Sequence, residues 1–141
     1  MLKGNPLHGL PFLEGYEDLR IAVLDDNPDI GEMLQIGLQL DGHTVAVSCN
    51  PSTFLATLME PTSAPVPFDL LIVDLFLSEG ISGVEVVHQV WNAFPDLPVI
   101  LISAGSSWQI EPAGRALPGV KVLRKPFSLE ILLAMVKEFS R

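Results

Sequence analysis

The chain has 141 residues, a length that suits one domain with a single hydrophobic core. Its composition, 48% hydrophobic and 18% charged, is that of a folded globular protein and excludes an intrinsically disordered chain. Seventeen acidic residues against eight basic ones give a formal net charge of −9, and no basic run is present, so the chain is a poor candidate for a direct nucleic-acid binder.

Cysteine content and hydropathy bear on the cellular compartment. The one cysteine, Cys49, excludes a disulfide within the chain. No apolar stretch approaches the roughly 20 residues that span a bilayer, and glycines and prolines interrupt the N-terminus, so neither a transmembrane helix nor a signal peptide is predicted. We therefore expect a cytoplasmic protein with no membrane partner.

Residues 1–18 are predicted to form an irregular N-terminal extension, because glycines and prolines recur in them, and residues 19–141 are predicted to form one domain. In that domain, apolar runs alternate with segments of helical pattern. Strands are predicted at 19–24, 44–48, 69–74, 98–103 and 120–123. Most of these runs are continuous rather than alternating, which is typical of strands that are buried on both faces of a parallel sheet.

Helical segments follow the strands. Apolar spacing and N-terminal capping or proline signals predict helices at 29–42, 51–60, 82–94 and 128–139. The remaining interval, 106–119, would hold the fourth helix, and its two prolines and internal glycine predict a short or irregular one. Strands interleaved with helices indicate βαβ units and a three-layer α/β sandwich.

Polar residues stand at the ends of four predicted strands. Asp25 and Asp26 follow the first strand, Asp74 ends the third, Ser103 ends the fourth and Lys125 follows the fifth. In open α/β sheets, functional groups gather at this carboxyl edge. If the first and third strands are neighbours, their ends lie about 5 Å apart and three carboxylates converge. Their repulsion would raise a pKa or recruit a cation, and a compact pocket of oxygen atoms suits Mg²⁺.

The same residues suit phosphoryl transfer. A carboxylate nucleophile can form an aspartyl phosphate, and Asp74 would supply the attacking oxygen. Mg²⁺ and Lys125 would neutralise the phosphoryl charge, and the Ser103 hydroxyl could donate to the same oxyanion. Taken alone, Asp25 or Asp26 is more simply interpreted as an acid at a helix N-terminus. The combination of the pair with Asp74 favours a functional site.

Four short motifs, one at each of these strand ends, occur in a fixed order. They are LDD at 24–26, IVD at 72–74, ISA at 102–104 and KPF at 125–127. The ordered set resembles the receiver domain of two-component response regulators, including the chemotaxis regulators, and the resemblance covers residues 19–140. It implies a flavodoxin-like, doubly wound five-stranded parallel sheet of order 2-1-3-4-5 with about five helices.

The resemblance also implies roles for the acidic residues. By position, Asp74 resembles the phosphoacceptor. Asp26 matches the direct ligand of Mg²⁺, and Asp25 matches the acid that holds the metal largely through water. Asp74 itself and the backbone carbonyl of Phe76 complete the implied metal ligands.

Further roles follow by position in the last two strands. Ser103 and Lys125 match the residues that bind the phosphoryl group and take part in switching, and the Lys125–Pro126 bond resembles one that is cis in the family. Three residues before the lysine, where the family often has an aromatic switch residue, this chain has Val122.

The function implied by the resemblance is signalling in a phosphorelay. A sensor histidine kinase or a histidine phosphotransfer protein would phosphorylate Asp74, and the altered surface would engage a target. The chain would not be a metabolic enzyme, since it would catalyse only its own phosphorylation and autodephosphorylation. Homodimer formation is left open, and no direct nucleic-acid contact is expected.

Two alternatives remain from the sequence. One is a receiver-like interaction module that works without phosphorylation. The other is a small Mg²⁺-dependent phosphatase with an aspartyl-phosphate intermediate, which is less favoured because LDDNPD lacks the D-x-D-x-[TV] motif of such enzymes.

Overall fold

The structure is a computed structural model that describes residues 18–59, 68–78, 80–105 and 107–140, with the backbone alone for 107–109. Residues 1–17 of the predicted N-terminal extension lie outside the described residues.

Strands and helices alternate along the described chain. The strands are β1 (Arg20–Leu24), β2 (Thr44–Ser48), β3 (Leu70–Asp74), β4 (Val99–Ser103) and β5 (Lys121–Arg124). The helices are α1 (Pro28–Leu40), α2 (Pro51–Leu58), α3 (Gly83–Ala93), α4 (Ser107–Ala116) and α5 (Leu129–Lys137). All paired strands are parallel, in the order β2-β1-β3-β4-β5. The predicted flavodoxin-like fold, with its strand order, is confirmed.

Two apolar layers cover the two faces of the sheet. One contains buried residues of α1 and α5: Leu34, Leu38, Leu132 and Val136. The other contains buried residues of α2, α3 and α4, among them Phe54, Leu58, Val86, Val90 and Ala113. Every residue of β3 and β4 is buried between these layers. Burial on both faces explains why these strands are continuous apolar runs.

Side-chain caps fix where four of the helices begin. Asn27, Asn50, Ser82 and Ser128 each accept a hydrogen bond from a backbone N–H in the first turn of α1, α2, α3 and α5, respectively. Asn27, Asn50 and Ser128 lie two to four residues after the carboxyl end of a strand, and Ser82 lies eight residues after the end of β3. The chain therefore turns back into a helix at the sheet edge where the polar residues stand.

Helix α4 lies in the interval where a short or irregular fourth helix was predicted. It is a continuous helix of 10 residues, although Pro112 lies inside it. Ile110, Ala113 and Leu117 are spaced along one side and are buried in the layer that contains α2 and α3. Because a short helix is stabilised mainly by packing of its apolar side, we infer that this burial offsets the N–H that Pro112 lacks.

None of the helices in the described residues is long and apolar enough to cross a membrane. The longest of them, α1, has 13 residues, whereas a bilayer requires roughly 20.

Candidate functional site

The strand order brings the ends of β1 and β3 side by side. Leu24 pairs with Val73 in the parallel register, so Asp25 and Asp74 occupy equivalent positions, one residue further along each strand path. Ser103 ends β4, the neighbour of β3 on its other side. Asp25, Asp74 and Ser103 therefore lie at the same edge of the sheet, where the strands end.

Asp25, Asp26 and Asp74 form a compact cluster of carboxylates. One oxygen atom of each lies within 4.8 Å of the others. Asp25 is fully buried, Asp74 is 4% exposed, and Asp26 lies in a partly exposed position. Three carboxylates at this separation repel one another, and a divalent cation would neutralise them. A donor set of oxygen atoms alone fits Mg²⁺, which is a hard cation.

Asp25 is fixed by its backbone and by one side-chain oxygen. Its N–H donates to the carbonyl of Ser48 at 3.2 Å, and its Oδ1 accepts from the N–H of Asn27 at 2.9 Å. Its Oδ2 is buried and lies 3.1 Å from Nζ of Lys125, as an ion pair without hydrogen-bond geometry. A buried carboxylate oxygen that accepts no hydrogen bond from the described part of the chain has lone pairs left for a cation, so the residues present fit a bound metal.

Asp74 is contacted at both of its oxygens. Oδ1 accepts from the N–H of Phe76 at 3.3 Å, and Oδ2 accepts from Nζ of Lys125 at 3.2 Å. Burial raises the pKa of Asp74 to about 6, and repulsion by Asp25 acts in the same direction, while Lys125 and the Phe76 N–H oppose the rise. The carboxylate is therefore ionised at neutral pH in surroundings that disfavour its charge, and a bound cation would stabilise it.

Lys125 bridges the two buried aspartates. Its Nζ lies 3.1 Å from Oδ2 of Asp25 and 3.2 Å from Oδ2 of Asp74, and its side chain is 17% exposed. Burial lowers the pKa of Lys125, but the charges of the two aspartates outweigh burial and leave the pKa raised. Lys125 thus supplies a fixed positive charge beside Asp74. The peptide bond from Lys125 to Pro126 is cis.

Ser103 is fully buried at the end of β4. Its Oγ accepts from the N–H of Gly105 at 2.9 Å, and its carbonyl accepts from the N–H of Lys125 at 2.7 Å.

The two remaining predicted positions differ in exposure: the side chain of Phe76 is 44% exposed, and Val122 is half-buried against the layer that contains α2, α3 and α4. The metal-binding role of the Phe76 carbonyl stays a prediction.

Gly83 was not assigned a role from the sequence, yet it packs directly on the end of β3. A Cβ added to it would lie 2.5 Å from the carbonyl oxygen of Asp74 and 3.0 Å from Cα of Leu75. Its N–H donates to the carbonyl of Leu75 at 2.8 Å. In the sequence, Gly83 is a glycine that follows a serine at the start of a predicted helix, and this local pattern does not indicate a contact with β3.

Residues 21–137 match the sequence family described as the response regulator receiver domain. Among individual proteins, the probable transcriptional regulatory protein TcrX of Mycobacterium tuberculosis is 26% identical over 125 residues, and the transcriptional regulatory protein PrrA of the same organism is 31% identical over 127 residues. These alignments cover 89% and 90% of this chain, but 51% and 52% of the relatives. The chain therefore spans about half the length of these relatives.

Solved structures with the same fold include two receiver proteins. The chemotaxis protein CheY4 of Vibrio cholerae aligns with a TM-score of 0.76 at 23% identity, over 87% of this chain and 99% of its own. The BeF3-activated receiver domain of DrrB, a Thermotoga maritima protein, aligns with a TM-score of 0.72 at 29% identity, over 87% of this chain and 97% of its own. CheY4 supports the fold alone, whereas the family match extends over most of the sequence. On that match, the chain belongs to the response regulator receiver domains of two-component signalling systems.

Proposed function

We propose that the chain is a phosphorylation-dependent switch. Asp74 accepts a phosphoryl group from a sensor histidine kinase or a histidine phosphotransfer protein, in a reaction that requires Mg²⁺. The observation that supports this proposal most strongly is the convergence of three carboxylates and Lys125 at one sheet edge, where Nζ of Lys125 lies 3.2 Å from Asp74.

In the proposed reaction, one carboxylate oxygen of Asp74 attacks the phosphorus atom of the donor. A P–O bond to Asp74 forms, the P–N bond to the donor imidazole breaks, and the imidazole leaves with its electron pair. Asp25, Asp26, Asp74 and the Phe76 carbonyl would hold Mg²⁺, which when bound neutralises charge on the phosphoryl oxygens.

Lys125 and Ser103 bind the product in this proposal. Nζ of Lys125 already lies beside Asp74, so it can pair with a phosphoryl oxygen once the aspartate charge is consumed. The Ser103 hydroxyl accepts one hydrogen bond from Gly105 and can still donate its own hydrogen. A change in these two contacts is the local event that would alter the surrounding surface.

The role of the whole protein is part of the proposal. We retain the predictions that the chain catalyses only its own phosphorylation and dephosphorylation, and that it acts in the cytoplasm. The two relatives described above are named transcriptional regulatory proteins and are about twice as long, so the comparisons do not support the expectation of no nucleic-acid contact.

The test is uptake of a phosphoryl group from acetyl phosphate, followed by intact mass spectrometry. With Mg²⁺, the wild-type mass should rise by one phosphoryl group, and EDTA should prevent the gain. Asp74→Asn should abolish the gain, whereas Asp29→Asn, at an exposed acid in the first turn of α1, should leave it unchanged.

A mass gain that persists in Asp74→Asn would contradict the assignment of Asp74. Absence of both the gain and Mg²⁺ binding in the wild type would favour the interaction module that works without phosphorylation. Turnover of a generic phosphomonoester would favour the phosphatase.

A further inference from the structure

The segment after β4 is tied to β5 by the side chain of Arg124. Ser103 and Arg124 pair in the parallel register of the two strands. Two residues past Ser103, the N–H of Gly105 donates to Oγ of Ser103 at 2.9 Å. The carbonyl of the same Gly105 accepts from Nη2 of Arg124 at 3.2 Å. A continuous series of hydrogen bonds therefore joins the guanidinium, Gly105 and the serine hydroxyl.

Gly105 lies in the middle of this series, because its N–H donates to Ser103 and its carbonyl accepts from Arg124. A glycine backbone is unusually free to rotate, because it has no Cβ. The N–H contact holds the peptide plane before Gly105 and the carbonyl contact holds the plane after it, so together the two hydrogen bonds restrict rotation at this glycine. Ser103 is fully buried and Arg124 is exposed, so the series runs from the site to the protein surface.

Two residues before Arg124, the side chain of Val122 cannot make a polar contact of this kind. Val122 is half-buried among apolar side chains, and its side chain has no hydrogen-bond donor. Lys121, at the start of β5, pairs with Glu138 at 3.1 Å instead. From the end of β5, the guanidinium of Arg124 donates to the carbonyl of Gly105 in the segment after β4.

We propose that Arg124 is a positioning residue for Ser103. By holding the carbonyl of Gly105, it keeps the buried hydroxyl in the orientation that meets the phosphoryl group on Asp74. This inference rests on the proposed function, since the hydroxyl has no phosphoryl group to meet if Asp74 is not phosphorylated. Arg124 itself touches neither the phosphoryl group nor the metal.

The experiment measures the affinity of the Mg²⁺-loaded protein for beryllofluoride, a mimic of the phosphoryl group, by titration calorimetry. Arg124→Ala should weaken binding by about fivefold, the effect of losing roughly one ordinary hydrogen bond. In the Ser103→Ala background, the same Arg124→Ala change should have no further effect, because Arg124 acts through the hydroxyl that is already absent.

Two variants separate geometry from charge. Arg124→Lys keeps the positive charge but loses the planar fork of donors, so its affinity should lie between those of the wild type and Arg124→Ala. Lys121→Ala removes an equal charge from the other end of the same strand and should bind as the wild type does. The amide resonance of Gly105 should move in Arg124→Ala and stay in place in Lys121→Ala.

The outcomes distinguish this inference from the function on which it rests. If the wild type binds beryllofluoride and the effects of Ser103→Ala and Arg124→Ala are additive, the positioning role is overturned and the proposed function stands. An equal loss of affinity in Lys121→Ala would likewise overturn it, because charge alone would then explain the effect. If the wild type does not bind beryllofluoride at all, the proposed function is overturned and the positioning role is overturned with it.

Discussion

Asp74 is ionised at neutral pH although its surroundings disfavour the charge. Burial and the nearby Asp25 raise its pKa to about 6, above the ordinary value of 3.8, and Lys125 does not fully compensate. Between these two pH values, the folded protein binds more protons at this residue than the unfolded chain does. Proton binding at Asp74 therefore contributes favourably to the free energy of unfolding at low pH. The contribution is lost as the pH rises from about 4 to about 6.

We expect Asp74→Asn to stabilise the metal-free protein at pH 8, because the amide removes a charge that the folded state disfavours. The gain in free energy of unfolding should be on the order of 1–3 kcal/mol at pH 8 and should vanish near pH 4. Urea unfolding of both proteins in EDTA, at intervals between these pH values, measures the difference. Mg²⁺ should reduce the advantage of the variant at pH 8, because the ion binds the wild-type carboxylates.

His43 does not obscure this comparison. Burial lowers the pKa of His43, with partial opposition from Asp41 and Asp18, so its pH dependence has the opposite sign, but it is present in both proteins. Asp29→Asn, which changes an exposed acid, should show no such pH-dependent gain. An advantage of Asp74→Asn that is equal at pH 4 and pH 8, or a loss at pH 8, would contradict the account of the charge at this residue.

At the scale of single elements, the start of α3 and the end of β3 are in direct backbone contact. Gly83 is the first residue of α3, and a Cβ there would lie 2.5 Å from the carbonyl oxygen of Asp74. The obstacle is backbone rather than a flexible side chain, so it cannot move aside without displacing the strand end. The position of Asp74 thus depends on the absence of a side chain at residue 83.

We expect Gly83→Ala to destabilise the fold by about 1–3 kcal/mol or more, the usual effect of forcing an extra carbon into a packed region. Thermal or urea unfolding measures the change. Gly114→Ala is the matched control: it lies inside α4 with no atom within 4 Å of an added Cβ, and it should be neutral or stabilising by about 0.5–1 kcal/mol. Equal effects of the two changes would show that the close approach at Gly83 has no energetic consequence.

Some of these elements could be predicted from the sequence and others could not. β1, β3 and β4 were predicted to within one residue, because burial on both faces leaves continuous apolar runs. The length of α4 could not be predicted in this way, because local propensity disfavours a helix around Pro112. The burial of Ile110, Ala113 and Leu117 offsets this propensity, and that burial is a tertiary effect.

The same distinction applies to the site. Asp25, Asp74, Ser103 and Lys125 were predicted to lie at one place because strand ends share one edge of a parallel sheet, although the strand order itself came from the family resemblance. Contacts made by residues that belong to no recognisable sequence motif were not predicted. His43, for example, is 4% exposed and its Nδ1 accepts from the N–H of Leu19 at 2.9 Å, a partner 24 residues away that no local pattern indicates.

At the scale of the whole molecule, negative charge is spread over the chain and concentrated at one site. Three of the acidic residues behind the formal net charge of −9 are Asp25, Asp26 and Asp74, and a divalent cation bound to them would reduce their mutual repulsion. The fold supplies the rest, because parallel strands in the order β2-β1-β3-β4-β5 bring these carboxylates and Lys125 together.

Chemical trapping of the acyl phosphate shows whether the Asp74 carboxylate carries the phosphoryl group. Borohydride reduces an aspartyl phosphate to homoserine with loss of phosphate, so peptide mass spectrometry after reaction with Mg²⁺ and acetyl phosphate locates the modified residue. We predict homoserine at position 74 in the treated protein and aspartate there when EDTA is present. Homoserine at position 25 or 26, with aspartate retained at 74, would contradict the account.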